Sequence, residues 1–191
     1  QRTALARAIV KGADLVLLDE PLANLDYKLR EELREELPRI FSETGAIFVY
    51  ATTEPTEALL LGGRTVTLRE GRVTAIGPTS ELYRQPADLE TARIMSDPPL
   101  NVIELTVSGG VLVGSDGLTL PAGALAGLDD GAYALGIRAH RLHPGAATAA
   151  EGRLVARLLT SEVTGSQTFA HADGAGARLV EHDAGRGLAD L

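Results

Sequence analysis

Apolar residues recur along this chain in distinct rhythms, and each rhythm predicts an element. Ala4, Leu5, Ala8 and Ile9 fall on one helical face, so residues 1–10 read as a helix. It starts with no cap or lead-in, which points to sequence upstream. Residues 15–18 (LVLL) show no alternation, the mark of a strand covered on both faces in a parallel sheet. Asp26 stands where an N-cap belongs. Behind it Leu29, Leu33, Leu37, Ile40 and Phe41 keep helical spacing among acids and arginines, and Pro38 is expected to bend or break that helix. Gly45 ends it, and residues 46–51 (AIFVYA) read as a second buried strand. Strand, helix, strand in this order predicts a right-handed parallel crossover. A short helix at 55–61 follows. Strands at 64–68 and 72–76 then flank Glu70-Gly71 as a hairpin. Short helices are expected at 79–84 and 88–95.

Past Ser96-Asp97-Pro98-Pro99 the rhythm changes. Short strand-like runs at 101–107, 111–113, 118–120, 133–137, 152–159 and 167–171 are broken by Gly and Asp. That is the pattern of a small β-barrel or sandwich. Two domains are therefore expected, 1–96 and 97–191. Residues 185–191 complete no strand pattern, so a C-terminal truncation is also expected.

Composition narrows the class. The chain is 45% hydrophobic but only 4% aromatic, so its core must be mainly Leu, Val, Ala and Ile. A net charge of −8 and a pI near 5.0 argue against nucleic acid as the main partner, because phosphate binding calls for a basic footprint. With no cysteine there is no disulfide and no thiolate metal site. No apolar run approaches the roughly 20 residues that span a bilayer. No signal peptide is evident, so any membrane role is expected to come through a partner.

The chemistry concentrates in LVLLDEPLANLD, residues 15–26. The carboxyl end of a parallel strand faces the crevice where such sheets bind ligands, and Asp19 sits there. Its carboxylate suits a hard cation such as Mg²⁺. Glu20 follows, and Pro21 is expected to hold Glu20 in an extended backbone. Two acids aimed apart could serve a metal and a water. An acidic turn after a strand is the plainer alternative.

The neighbouring residues favour the first reading. Gln1-Arg2 with residues 4–8 (ALARA), then LVLLDEP, then Asn24-Leu25-Asp26 resemble the nucleotide-binding domain of ATP-binding cassette (ABC) transporters. In that family these are the stretch after the signature loop, the Walker B strand and the D-loop. Residues 81–87 (ELYRQPA), 97–101 (DPPLN) and 135–138 (LGIR) resemble the hinge and C-terminal TOBE-type domain of importer ATPases for sugars and related solutes. The resemblance weakens after about residue 145. It implies an α/β fold: the C-terminal part of a P-loop NTPase domain with a parallel sheet, then an OB/TOBE-like β-barrel. It implies ATP and Mg²⁺ as cofactors, with Asp19 holding Mg²⁺, Glu20 as general base or water-orienting carboxylate, and Asp26 at the interface of two such domains. Implied partners are a second ATPase subunit, identical or not, two transmembrane permease subunits and, indirectly, an extracytoplasmic solute-binding protein. The implied location is the cytoplasmic face of the cell membrane.

Two departures stand out. The family places a histidine against the γ-phosphate just after the next strand. The matching residue is Thr53, which can hydrogen-bond but cannot carry an imidazole's charge. Either the site is weakened and paired with a stronger one in a different subunit, the favoured reading, or Thr53 and a water suffice. Residues 51–63 (ATTEPTEALLLGG) also resemble a branch associated with glycerol or glycerol-phosphate uptake that uses two different ATPase subunits. Second, no GxxxxGK[ST] loop, glutamine loop or LSGGQ signature is present. All would lie upstream of Gln1, so this chain by itself is expected to be inactive. Tyr27 and Lys28 read as exposed helix-start residues, and 30–36 as a solvated helix face. His140, His143, His171 and His182 lack metal-site spacing. Residues 165–167 (GSQ) read as a turn, with an oxyanion-binding loop as the alternative. A C-terminal module for oxyanions or a regulatory protein is a further alternative.

Overall fold

The computed structural model describes residues 10–113, 117–120, 123–145, 151–164 and 167–183, together with 3, 6, 7 and 148. The chain divides into two compact units, Gln1–Met95 and Ser96–Leu191.

The first unit is built on a parallel pair, β1 (Leu15–Asp19) and β2 (Ile47–Ala51), with Leu15 opposite Ile47 and Asp19 opposite Ala51. The crossover between them is helix α1 (Tyr27–Thr44). Asp26 caps it by accepting from the Leu29 amide at 3.0 Å, satisfying one of the donors a helix start leaves unpaired. Gly45 closes it in the left-handed conformation, which glycine adopts without steric cost. Pro38 lies inside the helix and does not break it. Its ring nitrogen has no hydrogen to donate, so one backbone bond of the helix is missing. Leu37 is fully buried with Val16, Leu18 and Leu22, and Leu33 and Phe41 pack beside them. Phe41 stacks on Phe48 of β2 with ring centroids 3.9 Å apart.

The expectation that β1 and β2 are covered on both faces is not met in this chain. Val16 and Leu18 face the core, but Leu15, Leu17, Ile47 and Val49 are 52%, 69%, 67% and 53% exposed. Their register pairs them into one bare apolar face. Helix α2 (Pro55–Leu61) follows β2. The hairpin β3 (Arg64–Arg69) and β4 (Arg72–Pro78) turns at Glu70 and Gly71, both at positive φ, as a two-residue turn matched to strand twist requires. Helices α3 (Thr79–Arg84) and α4 (Leu89–Ile94) complete the unit. Of the N-terminal helix expected at 1–10, the described residues 3, 6, 7 and 10 are helical.

Among the described residues, the regular elements of the second unit are strands and one 3-10 turn at Ala139–Arg141. Strand β5 (Asn101–Ser108) runs between β6 (Val111–Val113) and β8 (Gly131–Ile137), antiparallel to both. Strands β10 (Ala156–Thr164), β11 (Gln167–Gly174) and β12 (Ala177–Asp183) form a meander, and β7 (Leu118–Thr119) pairs with β9 (Arg153–Leu154). The core is Ile103, Leu105, Val107, Leu118 and Leu179. Buried Asn101 ties β5 to β12, donating to the Val180 carbonyl at 2.7 Å and accepting from the Val180 amide at 2.6 Å. A closed barrel was expected; the described residues form separate sheets instead. Among the described residues β6, β7 and β9 are short, and β10 is interrupted by a register shift between Leu158 and Thr160. The sequence pattern also missed β12. The GSQ loop and residues 185–191 lie largely or wholly outside the described residues.

Candidate active site

Parallel pairing brings the ends of β1 and β2 together. Asp19 is the last residue of β1, and Thr53 lies two residues past its partner Ala51. Glu20 remains joined to β2, its amide donating to the Ala51 carbonyl at 2.9 Å. Asp19, Glu20 and Thr53 are therefore at one end of the sheet, all three exposed. Asp26 is seven residues beyond Asp19 and starts α1.

Glu20 is not extended. Its φ is +40°, in the left-handed region that residues with a side chain rarely occupy. The reason is local. The chain must leave the β2 ladder and turn at once, and the Glu20 carbonyl accepts from the Ala23 amide at 3.2 Å. The Leu25 amide then donates to the Leu22 carbonyl, while Leu22 is buried in the core. Such strain costs on the order of 1–3 kcal/mol and persists where surrounding contacts over-determine the backbone.

Behind this end lies a polar network that motif reading did not find. Buried Glu57 accepts from the Tyr50 hydroxyl at 2.9 Å and from the Thr52 hydroxyl at 2.6 Å. Thr52 in turn accepts from the Glu54 amide at 3.0 Å. Thr52, rather than Thr53, is thus the threonine that organises the loop after β2. Burial pushes the Tyr50 phenol well above its ordinary pKa, and the Glu57 carboxylate beside it adds to the effect. Arg30 donates to Glu54 Oε1 at 3.1 Å and to the Ala23 carbonyl at 3.3 Å. Arg34 reaches Glu54 Oε2 at 3.5 Å and pairs with Glu31 at 2.8 Å. Burial works against the Arg34 charge, but Glu31, Glu54 and Glu57 outweigh it and hold its pKa above the usual value. The only signal in the sequence was the i,i+4 spacing of the two arginines.

Among the described residues, no group of three or more His, Cys, Asp or Glu side chains could hold a metal ion. No described helix is long and apolar enough to cross a membrane.

Acids at the carboxyl end of a parallel strand face the crevice where open α/β sheets bind ligands, and sequence comparison makes the relationship specific. No family model matches the chain. It is 34% identical over 186 residues to the ABC transporter ATP-binding protein YcjV of Escherichia coli, covering 94% of this chain and 51% of that protein. It is 35% identical over 188 residues to the xylose/arabinose import ATP-binding protein XacK of Haloferax volcanii, covering 97% and 48%. It is 35% identical over 176 residues to the sulfoquinovosyl glycerol transport ATP-binding protein SmoE of Agrobacterium fabrum, covering 90% and 49%. The chain is homologous to ABC transporter ATP-binding proteins, sugar importers among them. It spans about half the length of these curated relatives.

Proposed function

We propose that this chain is the Walker B and D-loop part of an ATPase subunit that powers an ABC importer for a carbohydrate, polyol or glycerol-like solute. The observation that carries the reading is the placement of Asp19 and Glu20 at the end of β1, in a chain homologous over most of its length to sugar-import ATP-binding proteins. Asp19 offers one exposed hard oxygen donor. That fits Mg²⁺, which takes one or two carboxylates and completes its sphere with phosphate oxygens and water. Mg²⁺ neutralises charge on the phosphates when bound. Glu20 holds a second carboxylate, turned by its left-handed backbone, that accepts or orients the proton of an attacking water. Thr53 offers a hydroxyl where the family carries histidine. Asp26, fixed by its cap, would sit at the interface with a second ATPase domain. Two permease subunits and an extracytoplasmic solute-binding protein would complete the importer, with this subunit peripheral on the cytoplasmic face. The second unit would be its OB/TOBE-like regulatory domain.

Thr53 favours a second reading, a weakened half-site paired with a different ATPase. The test is ATP hydrolysis by the product of the complete reading frame in which this chain lies, alone and mixed with any ATPase encoded beside it. Hydrolysis alone that falls by about 100-fold or more in Glu20→Gln supports a self-sufficient site. Hydrolysis only in the mixture, with a rise in Thr53→His, supports the half-site. Turnover of the chain alone that is untouched by Glu20→Gln refutes the self-sufficient site, and a mixture no faster than the partner ATPase by itself refutes the half-site.

A further inference from the structure

The left-handed Glu20 must be held by something, and one side chain reaches both loops around it. Ala23 is fixed at two points: its amide donates to the Glu20 carbonyl at 3.2 Å, and its carbonyl accepts from Arg30 Nη2 at 3.3 Å. The other arm of the same guanidinium, Nη1, holds Glu54 at 3.1 Å. Glu54 belongs to the loop after β2, where its amide is bound to Thr52 and its neighbour is Thr53. One planar fork on α1 therefore spans from the turn carrying Glu20 to the loop carrying Thr53. The Arg30 and Glu54 side chains are only 27% and 37% exposed, so water screens this contact less than it would a surface pair. Arg34 occupies the second oxygen of Glu54 at 3.5 Å and fixes the carboxylate's orientation.

We propose that Arg30 is a positioning residue for Glu20: by clamping Ala23 to Glu54 it locks the turn at residues 20–23 and makes that turn and the loop at 52–54 move as one body. This deepens the proposed ATPase reading by joining its two catalytic loops across α1. The role requires arginine. A guanidinium meets the two acceptors from two separate nitrogens of one rigid fork, whereas an ammonium offers all its donors from a single nitrogen on a flexible stem.

The test uses the 191-residue chain and needs no nucleotide, so it stands or falls apart from the ATPase reading. Amide hydrogen exchange is followed by NMR at Ala23, whose bond closes the turn, and at Ile47, whose amide donates to the Asp14 carbonyl at 2.9 Å and reports the sheet. The Glu20 Cα and Cβ chemical shifts report its left-handed backbone. In Arg30→Lys, exchange at Ala23 is expected to rise about tenfold, with Ile47 unchanged and the Glu20 shifts moving toward extended values. Arg30→Met should do the same with a larger rise. Wild-type exchange at Ala23 in both variants overturns the proposal. So does a rise shared equally by Ala23 and Ile47, which would mean that Arg30 only stabilises the unit, or unmoved Glu20 shifts.

Discussion

Strands β1 and β5 are both apolar, yet they meet their surroundings in different ways. Along β5, Asn101, Ile103, Leu105 and Val107 are buried and Glu104, Thr106 and Ser108 are exposed, so every apolar side chain on the core face has a partner within its own unit. Along β1 the run is apolar on both faces, but only Val16 and Leu18 are covered, while Leu17 is 69% exposed. An alternating strand needs one covering layer; a continuously apolar strand needs two. The second unit meets its need, and the first presents one unmet face. Within these 191 residues the two strands therefore differ in how much of their apolar surface is covered, and they should respond differently to the same kind of mutation.

The strongest way to break this comparison is a matched truncation. Ile103→Ala removes a fully buried side chain and should cost about 2–5 kcal/mol of stability in denaturant unfolding. Leu17→Ala should cost under about 1 kcal/mol, since little of that side chain leaves water on folding. Equal costs would show that the β1 face is covered after all. Next in size is Asn101→Ala, which leaves both the amide and the carbonyl of Val180 without the partners seen here. It should cost about 2–4 kcal/mol and speed amide exchange along β12 more than along β6. Asp26→Ala should cost about 1 kcal/mol, read as loss of helicity in α1, because the Leu29 amide loses its acceptor.

The smallest effect is expected from acid. Partial desolvation, then the Arg138 and Arg141 charges, hold the pKa of the largely exposed His140 below its ordinary value. The folded state thus binds fewer protons there than the unfolded state. The penalty is absent above the ordinary histidine pKa and grows as pH falls through it to the lower folded value. An NMR titration should place His140 below a free histidine, and His140→Gln should flatten the matching part of the pH–stability curve for the second unit. A normal titration would remove this contribution.

Much of the candidate site was legible because its residues are neighbours in sequence. Asp19 and Glu20 follow an apolar run, Asp26 precedes a helical one, and the hairpin turn was marked by Glu70-Gly71. The network of Arg30, Glu54, Thr52 and Glu57 was not, because Arg30 and Glu54 are 24 positions apart and meet only after β1, α1 and β2 have packed. Nor was the Glu20 backbone, for which the proline rule pointed the wrong way.

The sequence by itself determined the element order, the parallel pairing and the acids at the strand end, since periodicity, capping and turn chemistry act over a few residues. Tertiary structure alone decided that Pro38 stays inside its helix and that Glu20 turns left-handed. It also decided that the strands of the second unit form separate sheets among the described residues. Each of those outcomes is a balance between a local preference and packing or hydrogen bonds to distant residues, and no window of sequence contains both sides of that balance.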